Sequence, residues 1–260
     1  MYSKIQLIKD MSSLGIKPND TLLVHSSMKA IGEVENGADT VLDAFIEYMR
    51  PGLLLFPTHT WALMGKNHPI FNPLTDPSCV GILTNLFRKR PGVLRSLHPT
   101  HSLAALGTNA AIFVQGEERC STPCPRFGCY GKLCDYGAKV LFLGCSLNSN
   151  TFLHGVEEWN HIPNRLTDKP APFKIAAPPD GRLLESPMYR HESPVGDISR
   201  HYGKMEVPFL RARIASKGKI GDAASILCDA AQMADLTTAL LARNPDLFLD
   251  DIPVPEKCYV

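Results

Sequence analysis

No stretch of this chain approaches the roughly 20 consecutive apolar residues of a membrane span, so a transmembrane helix is not expected. An excess of one charge is also missing. Lys and Arg number 27 against 26 Asp and Glu, a net +1 that makes no electrostatic case for nucleic acid or an anionic membrane surface. The first ten residues, MYSKIQLIKD, carry no secretory hydrophobic region, which points to a cytoplasmic protein with its eight cysteines as reduced thiols. Gly-x-Gly-x-x-Gly, Walker Gly-Lys-Ser/Thr and His-Glu-x-x-His are all absent, which argues against dinucleotide, nucleotide and zincin chemistry. There is no internal repeat, low-complexity tract or flexible linker, so residues 1–260 are expected to form a single domain.

Cys120, Cys124, Cys129 and Cys134 cluster, but at spacings of three, four and four residues, with no Cys-x-x-Cys pair and no interleaved histidine. Structural zinc sites are paired more tightly, so these cysteines read as packing residues and no metal is expected.

Hydrophobic runs and helical patterns alternate. Thr21–His25, Leu53–Pro57, Ser102–Gly107 and Val140–Leu143 read as strands. Between them, Asn36 opens a helix with an apolar face of Val41, Leu42, Phe45, Ile46 and Met49, closed by Pro51-Gly52. A second helix over 80–90 is closed by Pro91-Gly92, and a short amphipathic helix ends near Gly15. A Pro- and Asn-rich loop spans 65–77. This alternation predicts a layered α/β fold with a largely parallel sheet. Residues 160–208 form an irregular, partly β insertion suited to covering a site, and the pattern from Asp222 to Arg243 predicts one long helix.

The candidate chemistry sits at strand ends. His25-Ser26-Ser27, Thr58-His59-Thr60 and His98-Pro99-Thr100-His101-Ser102 each follow or flank a strand, and Asn150-Thr151-Phe152-Leu153-His154 opens a helix after the fourth. Open α/β sheets bind ligands at that edge. His154, with Glu157 and Glu158 three and four residues on, is a candidate general base; the plain alternative is a half-buried histidine bonded to a helical neighbour. For Ser26 and Ser27 the plain alternative is N-capping, and for His98 it is fixing a turn.

Four segments carry a family resemblance: LVHSSMKAIG at 23–32, FPTHTW at 56–61, RSLHPTHS at 95–102 and NTFLHGVE at 150–157. Together they resemble the aminoglycoside 3-N-acetyltransferase family, which is distinct from the GNAT superfamily. The resemblance covers most of residues 20–243. It implies a three-layer αβα sandwich with a mostly parallel central sheet, and acetyl transfer from acetyl-CoA to a primary amine of a small-molecule acceptor. By that resemblance His154 is the base; on chemical grounds Glu157 would orient it, and Ser26, Ser27, Thr58 and Thr151 are the candidate oxyanion donors. The coenzyme side is assigned to His25, Ser26, Ser27, Lys29, Gly32, Arg95 and Ser102. A monomer or homodimer is expected.

Two departures open alternatives. Cys145, at a strand end nine residues before His154, suggests a Cys145/His154 thiol acyltransferase or hydrolase; its plain reading is a buried core cysteine. His59 stands where the family commonly has an aromatic. A third class is a non-catalytic coenzyme A-binding protein. Residues 160–201 carry five acids against six bases, little attraction for a polycation, so a singly charged amino sugar is as fitting an acceptor as an aminoglycoside.

Overall fold

The computed structural model describes residues 1–259. Its strands are β1 (Thr21–Ser26), β2 (Leu53–Pro57), β3 (Ile70–Phe71), β4 (Leu94–Arg95), β5 (Leu103–Gly107), β6 (Lys139–Leu143), β7 (Ala171–Ala177), β8 (Arg182–Met188), β9 (Ala215–Ile220) and β10 (Ala223–Asp229). Its α-helices are α1 (Lys4–Ser13), α2 (Ala38–Tyr48), α3 (Ile82–Phe87), α4 (Ala110–Val114), α5 (Cys129–Asp135), α6 (Thr151–Trp159), α7 (Glu206–Arg211) and α8 (Ala230–Arg243). No helix among the described residues is long and apolar enough to cross a membrane.

Seven strands form the central sheet in the order β4-β5-β2-β1-β6-β10-β9. Strand periodicity explains the layers. Leu22 and Val24 of β1, Leu54 and Phe56 of β2, and Leu141 and Leu143 of β6 pack on one face with α1, α2 and α3. Leu23, Leu53, Leu55, Val140 and Phe142 face the opposite way, into a core built with α5, α6 and α8. Strands buried on both faces read as continuous apolar runs, as these do. The αβα sandwich expected from the sequence is therefore present. Its parallel pairings, β1 with β2 and β1 with β6, are confined to the centre. The flanks β5, β4, β10 and β9 all pair antiparallel, giving a mixed sheet.

One expected helix is corrected. Residues 223–229 are strand β10, buried along most of its length, and the helix begins only at Ala230 with Asp229 as its N-cap. Alanine-rich sequence favours a helix by a few tenths of a kcal/mol per residue. Here β10 pairs with β6 on one side and β9 on the other, and those ladders and the burial outweigh propensity.

The 160–208 segment is more ordered than its sequence suggests. β7 and β8 form a hairpin, which β3 extends to a three-stranded sheet over a small core of Phe71, Phe173, Ile175 and Met188. A 3-10 helix, Ile198–Met205, then leads into α7. The four clustered cysteines are free and belong to the packing: Cys120, Cys124 and Cys129 are buried and Cys134 half-buried.

Candidate active site

β1 has parallel neighbours on both sides, β2 reached through α2 on one face and β6 following α5 on the other. The crevice outside the carboxyl ends of such strands is where open α/β sheets bind ligands. A cavity of about 750 Å³ lies there, and its lining includes His25 and Ser26 from the end of β1, Pro57 from β2, and Thr151 and His154 from the opening turn of α6. The loop carrying His101 and the segment from Arg190 to Ser199 complete its walls.

His154 is half-buried. Its Nδ1 lies 2.8 Å from Tyr202 Oη, and Tyr202 Oη donates to Glu157 Oε2 at 2.7 Å. Glu157 is fully buried, and Arg165 Nε donates to its Oε1 at 2.6 Å. This chain fixes the protonation pattern. The carboxylate paired with Arg165 can only accept, so the single phenolic proton of Tyr202 is spent on it. His154 Nδ1 must then donate to Tyr202, which leaves Nε2 as the lone-pair nitrogen. Burial, and after it the nearby His191, hold His154 well below the usual histidine pKa, so it is neutral at pH 7. Burial raises Glu157, opposed by Arg165 and Tyr202.

Beside His154 runs a row of imidazoles. His191 stacks on it at 4.0 Å with 17° between planes, His101 lies 5.0 Å from His191, and His59 lies 4.7 Å from His101. His191 Nε2 is 2.9 Å from Glu158 Oε1, which also accepts the backbone N–H of Cys124. Burial raises Glu158 to about 7 and lowers His191 to about 3. Cys124, Glu158 and His191 bring polar atoms within 4.8 Å of one another, but Glu158 Oε1 is already taken by two N–H donors, so the cluster as it stands is a hydrogen-bonded one.

His25 is buried, stacked flat on Phe142, and its Nε2 has no hydrogen-bond partner among the described residues. A buried orphan polar atom in a cavity wall is what a ligand group would satisfy. Burial brings this histidine to about 4.

Several expected site residues lie elsewhere. Thr58 and Ser102 are completely buried and bonded to each other, with Thr58 Oγ1 donating to Ser102 O at 3.0 Å. Arg95 is spent internally: it donates to Thr58 and Ser102, and to the carbonyls of Pro73 and Asp76. These three tie the 65–77 loop to the sheet instead of facing the cavity. Ser27 gives its N–H to Leu143 O, and Lys29 is exposed on the 3-10 turn beyond it. Gly32 sits at φ 84°, where a Cβ would collide with the Asp222 carboxylate, so its role is close packing. His98 accepts the N–H groups of Thr100 and His101 at Nδ1 and so fixes its turn. Cys145 is half-buried, packs against the core and lies outside the cavity wall; burial raises its thiol to about 11, which removes the thiolate a covalent mechanism would need.

Tyr202, Arg165 and His191 were not singled out as site residues from the sequence. Only the placement of all three in the covering segment pointed that way.

Comparison with known proteins matches residues 23–242 to the family described as aminoglycoside 3-N-acetyltransferase. Aminoglycoside N(3)-acetyltransferase III from Salmonella sp is 31% identical over 187 residues, which is 64% of this chain and 63% of that relative. The chain thus aligns with 63% of the length of that relative. Aminoglycoside N(3)-acetyltransferase VII from Streptomyces paromomycinus is 26% identical over 270 residues, covering 93% of this chain and 92% of the relative. The crystal structure of aminoglycoside acetyltransferase AAC(3)-Xa superposes with a TM-score of 0.82 at 26% identity, covering 95% of this chain and 94% of the other. AAC-IIIb with CoASH has the same fold, with a TM-score of 0.81 at 24% identity and coverages of 98% and 99%.

Proposed function

The chain belongs to the aminoglycoside 3-N-acetyltransferase family, and on that premise we propose that it transfers an acetyl group from acetyl-CoA to a primary amine of an aminoglycoside or other amino-sugar-like acceptor. The transfer is direct, within one ternary complex, and His154 is the general base. The observation that carries this reading is the hydrogen-bond chain from His154 through Tyr202 to the Glu157–Arg165 pair, which leaves Nε2 free to accept a proton. A neutral imidazole can take the amine proton at pH 7, and Glu157 stabilises the resulting imidazolium through Tyr202. The cavity has room for a thioester and an amine side by side. His25, with its orphan Nε2, and Ser26 are the residues of the expected coenzyme set that line it, and they fit hydrogen bonding to the donor arm. The opening turn of α6 offers N–H groups with no intrahelical acceptor for the developing oxyanion.

For the acceptor, the cleft carries Glu192 and Asp197 against Arg190, with the histidines neutral, a weak preference for cations that does not demand several charges. We read residues 1–260 as one cytoplasmic acetyltransferase domain, with the 160–208 segment as its cover.

The test is thiol release from acetyl-CoA against a panel of gentamicin, sisomicin, glucosamine and a simple monoamine. His154→Ala is expected to lower kcat by about 10²–10⁴-fold, the usual contribution of a positioned base. Full activity in a correctly folded His154→Ala protein would remove His154 from the mechanism, and no release with any amine would remove the acetyltransferase reading itself.

A further inference from the structure

The cleft holds two carboxylate–histidine units, and the reaction as usually drawn needs one. Glu157 and Glu158 are consecutive on α6 yet serve different imidazoles: Glu157 reaches His154 through Tyr202, whereas Glu158 binds His191 directly at 2.9 Å. Both imidazoles line the cavity. When Glu158 is ionised its Oε1 can only accept, from Cys124 N–H and from His191, so His191 Nε2 then carries the ring proton and Nδ1 the lone pair.

An amine acceptor enters as an ammonium and must lose two protons, whereas the departing thiolate takes back one. Resting on the acetyl-transfer reading above, we infer that His191, held by Glu158, is a second proton acceptor that generates the neutral amine, leaving His154 to take the proton released as the C–N bond forms. The balance is as follows. The ammonium proton passes to His191 Nδ1 as the Nε2 proton of His191 passes to Glu158; after the transfer Glu158 returns that proton to Nε2 and Nδ1 releases its own to the solvent in the cleft, which restores the starting tautomer. The freed amine lone pair attacks the thioester carbon and forms the C–N bond. His154 Nε2 takes the second nitrogen proton. The C–S bond then breaks, and that proton passes to the thiolate, so one proton is released per turnover.

The stacking sets the order. Two imidazolium rings 4.0 Å apart would repel, so His191 must be neutral again before His154 becomes charged. A carboxyl able to take a proton from His191 meets that need, and the burial that lifts Glu158 to about 7 suits it to the task. The other groups facing His191 are the rings of His98 and His101, the Cys124 thiol and the Asp197 carboxylate. The Asp197 carboxylate favours protonation of His191 and of His154 alike.

The test is kcat/KM from pH 6 to 9.5 for the unmodified protein, His191→Asn, Glu158→Gln and His154→Ala. It uses acetyl-CoA and whichever amine of the panel gives the fastest thiol release, with that amine's own pKa titrated separately. Glu158→Gln keeps an acceptor for the Cys124 N–H and guards against a folding defect, as does His191→Asn on a separate segment. Both are expected to lose about 10- to 100-fold below the amine's pKa. The loss should shrink towards none above it, where the amine is already neutral, whereas the His154→Ala loss persists at every pH. A loss in both variants that is constant across pH would mean a packing role and overturn the inference, as would no loss at all. If the unmodified protein releases no thiol with any amine, the acetyl-transfer reading falls and takes this inference with it.

Discussion

Tyr202 shows how much a single hydroxyl decides in this cleft. Its oxygen links His154 to the buried Glu157–Arg165 pair. Tyr202→Phe removes the link and keeps the ring stacked edge-on against Phe248. Two effects are expected. His154 loses the partner that selects its tautomer, so kcat should fall about tenfold with KM little changed. Glu157 Oε2 loses its donor in a buried place, which should cost about 1–3 kcal/mol in urea unfolding. A variant with unchanged kcat would show that the tautomer is set elsewhere. At this scale the sequence was half legible. His154 and its helical carboxylates stood out because they follow a strand at a spacing that helical geometry makes meaningful. Tyr202, 48 residues away, is joined to His154 only by the packing of a 3-10 helix against α6 and α8, and no local pattern encodes that. Thr58, Arg95 and Ser102 show the converse: their residue types suit a site, but their hydrogen bonds run to one another and to the 65–77 loop.

At the scale of elements, the segment from 160 to 208 carries the question of acceptor. Its hairpin stands on its own small core, and the stretch after it brings Glu192, Asp197 and Arg190 to the cleft. With charge so nearly balanced, electrostatic steering of a polycation should be weak. Between about 0.02 and 0.3 M salt the Debye length shortens several-fold. The kcat/KM for gentamicin is expected to change little more than that for a monoamine. A steep fall for gentamicin alone would reveal an acidic acceptor surface outside this segment. The elements themselves were well foretold where burial on both faces made continuous apolar runs, as in β1, β2 and β6. They were missed where pairing decided: nothing in Ala223–Cys228 distinguishes a strand from a helix until β6 and β9 are in place on either side. β7 and β8, with four prolines in the stretch from Pro170 to Pro179, were likewise legible only as part of an irregular, partly β segment.

For the molecule as a whole, the histidine-rich cleft ties stability to pH. Burial holds His25, His59, His101, His154 and His191 below the ordinary histidine value, and Glu157 and Glu158 above theirs. Between 6.5 and the lower folded values, unfolding takes up a proton at each histidine, so stability falls as pH drops through this window. The two glutamates act oppositely, releasing on unfolding protons that the folded state retains. Five histidines take up protons against two glutamates that release them, so net uptake and a fall in stability are expected as the pH drops below 6.5. The urea midpoint should therefore drop clearly from pH 7.5 to 5.5, and a flat profile would mean that these imidazoles charge freely in the folded protein.

The strand order has a further consequence, for synthesis. β1 leaves the ribosome well before β6, which begins at Lys139, yet one of its two ladders is with that strand. At about 5–20 residues per second, the edge of Leu22, Leu23 and Val24 stays unpaired for on the order of ten seconds. It is apolar on both faces, a ready template for another chain. The growing polypeptide therefore passes through an interval in which a strand destined for the middle of the sheet is its most adhesive surface. That interval closes just before the helix bearing His154 emerges.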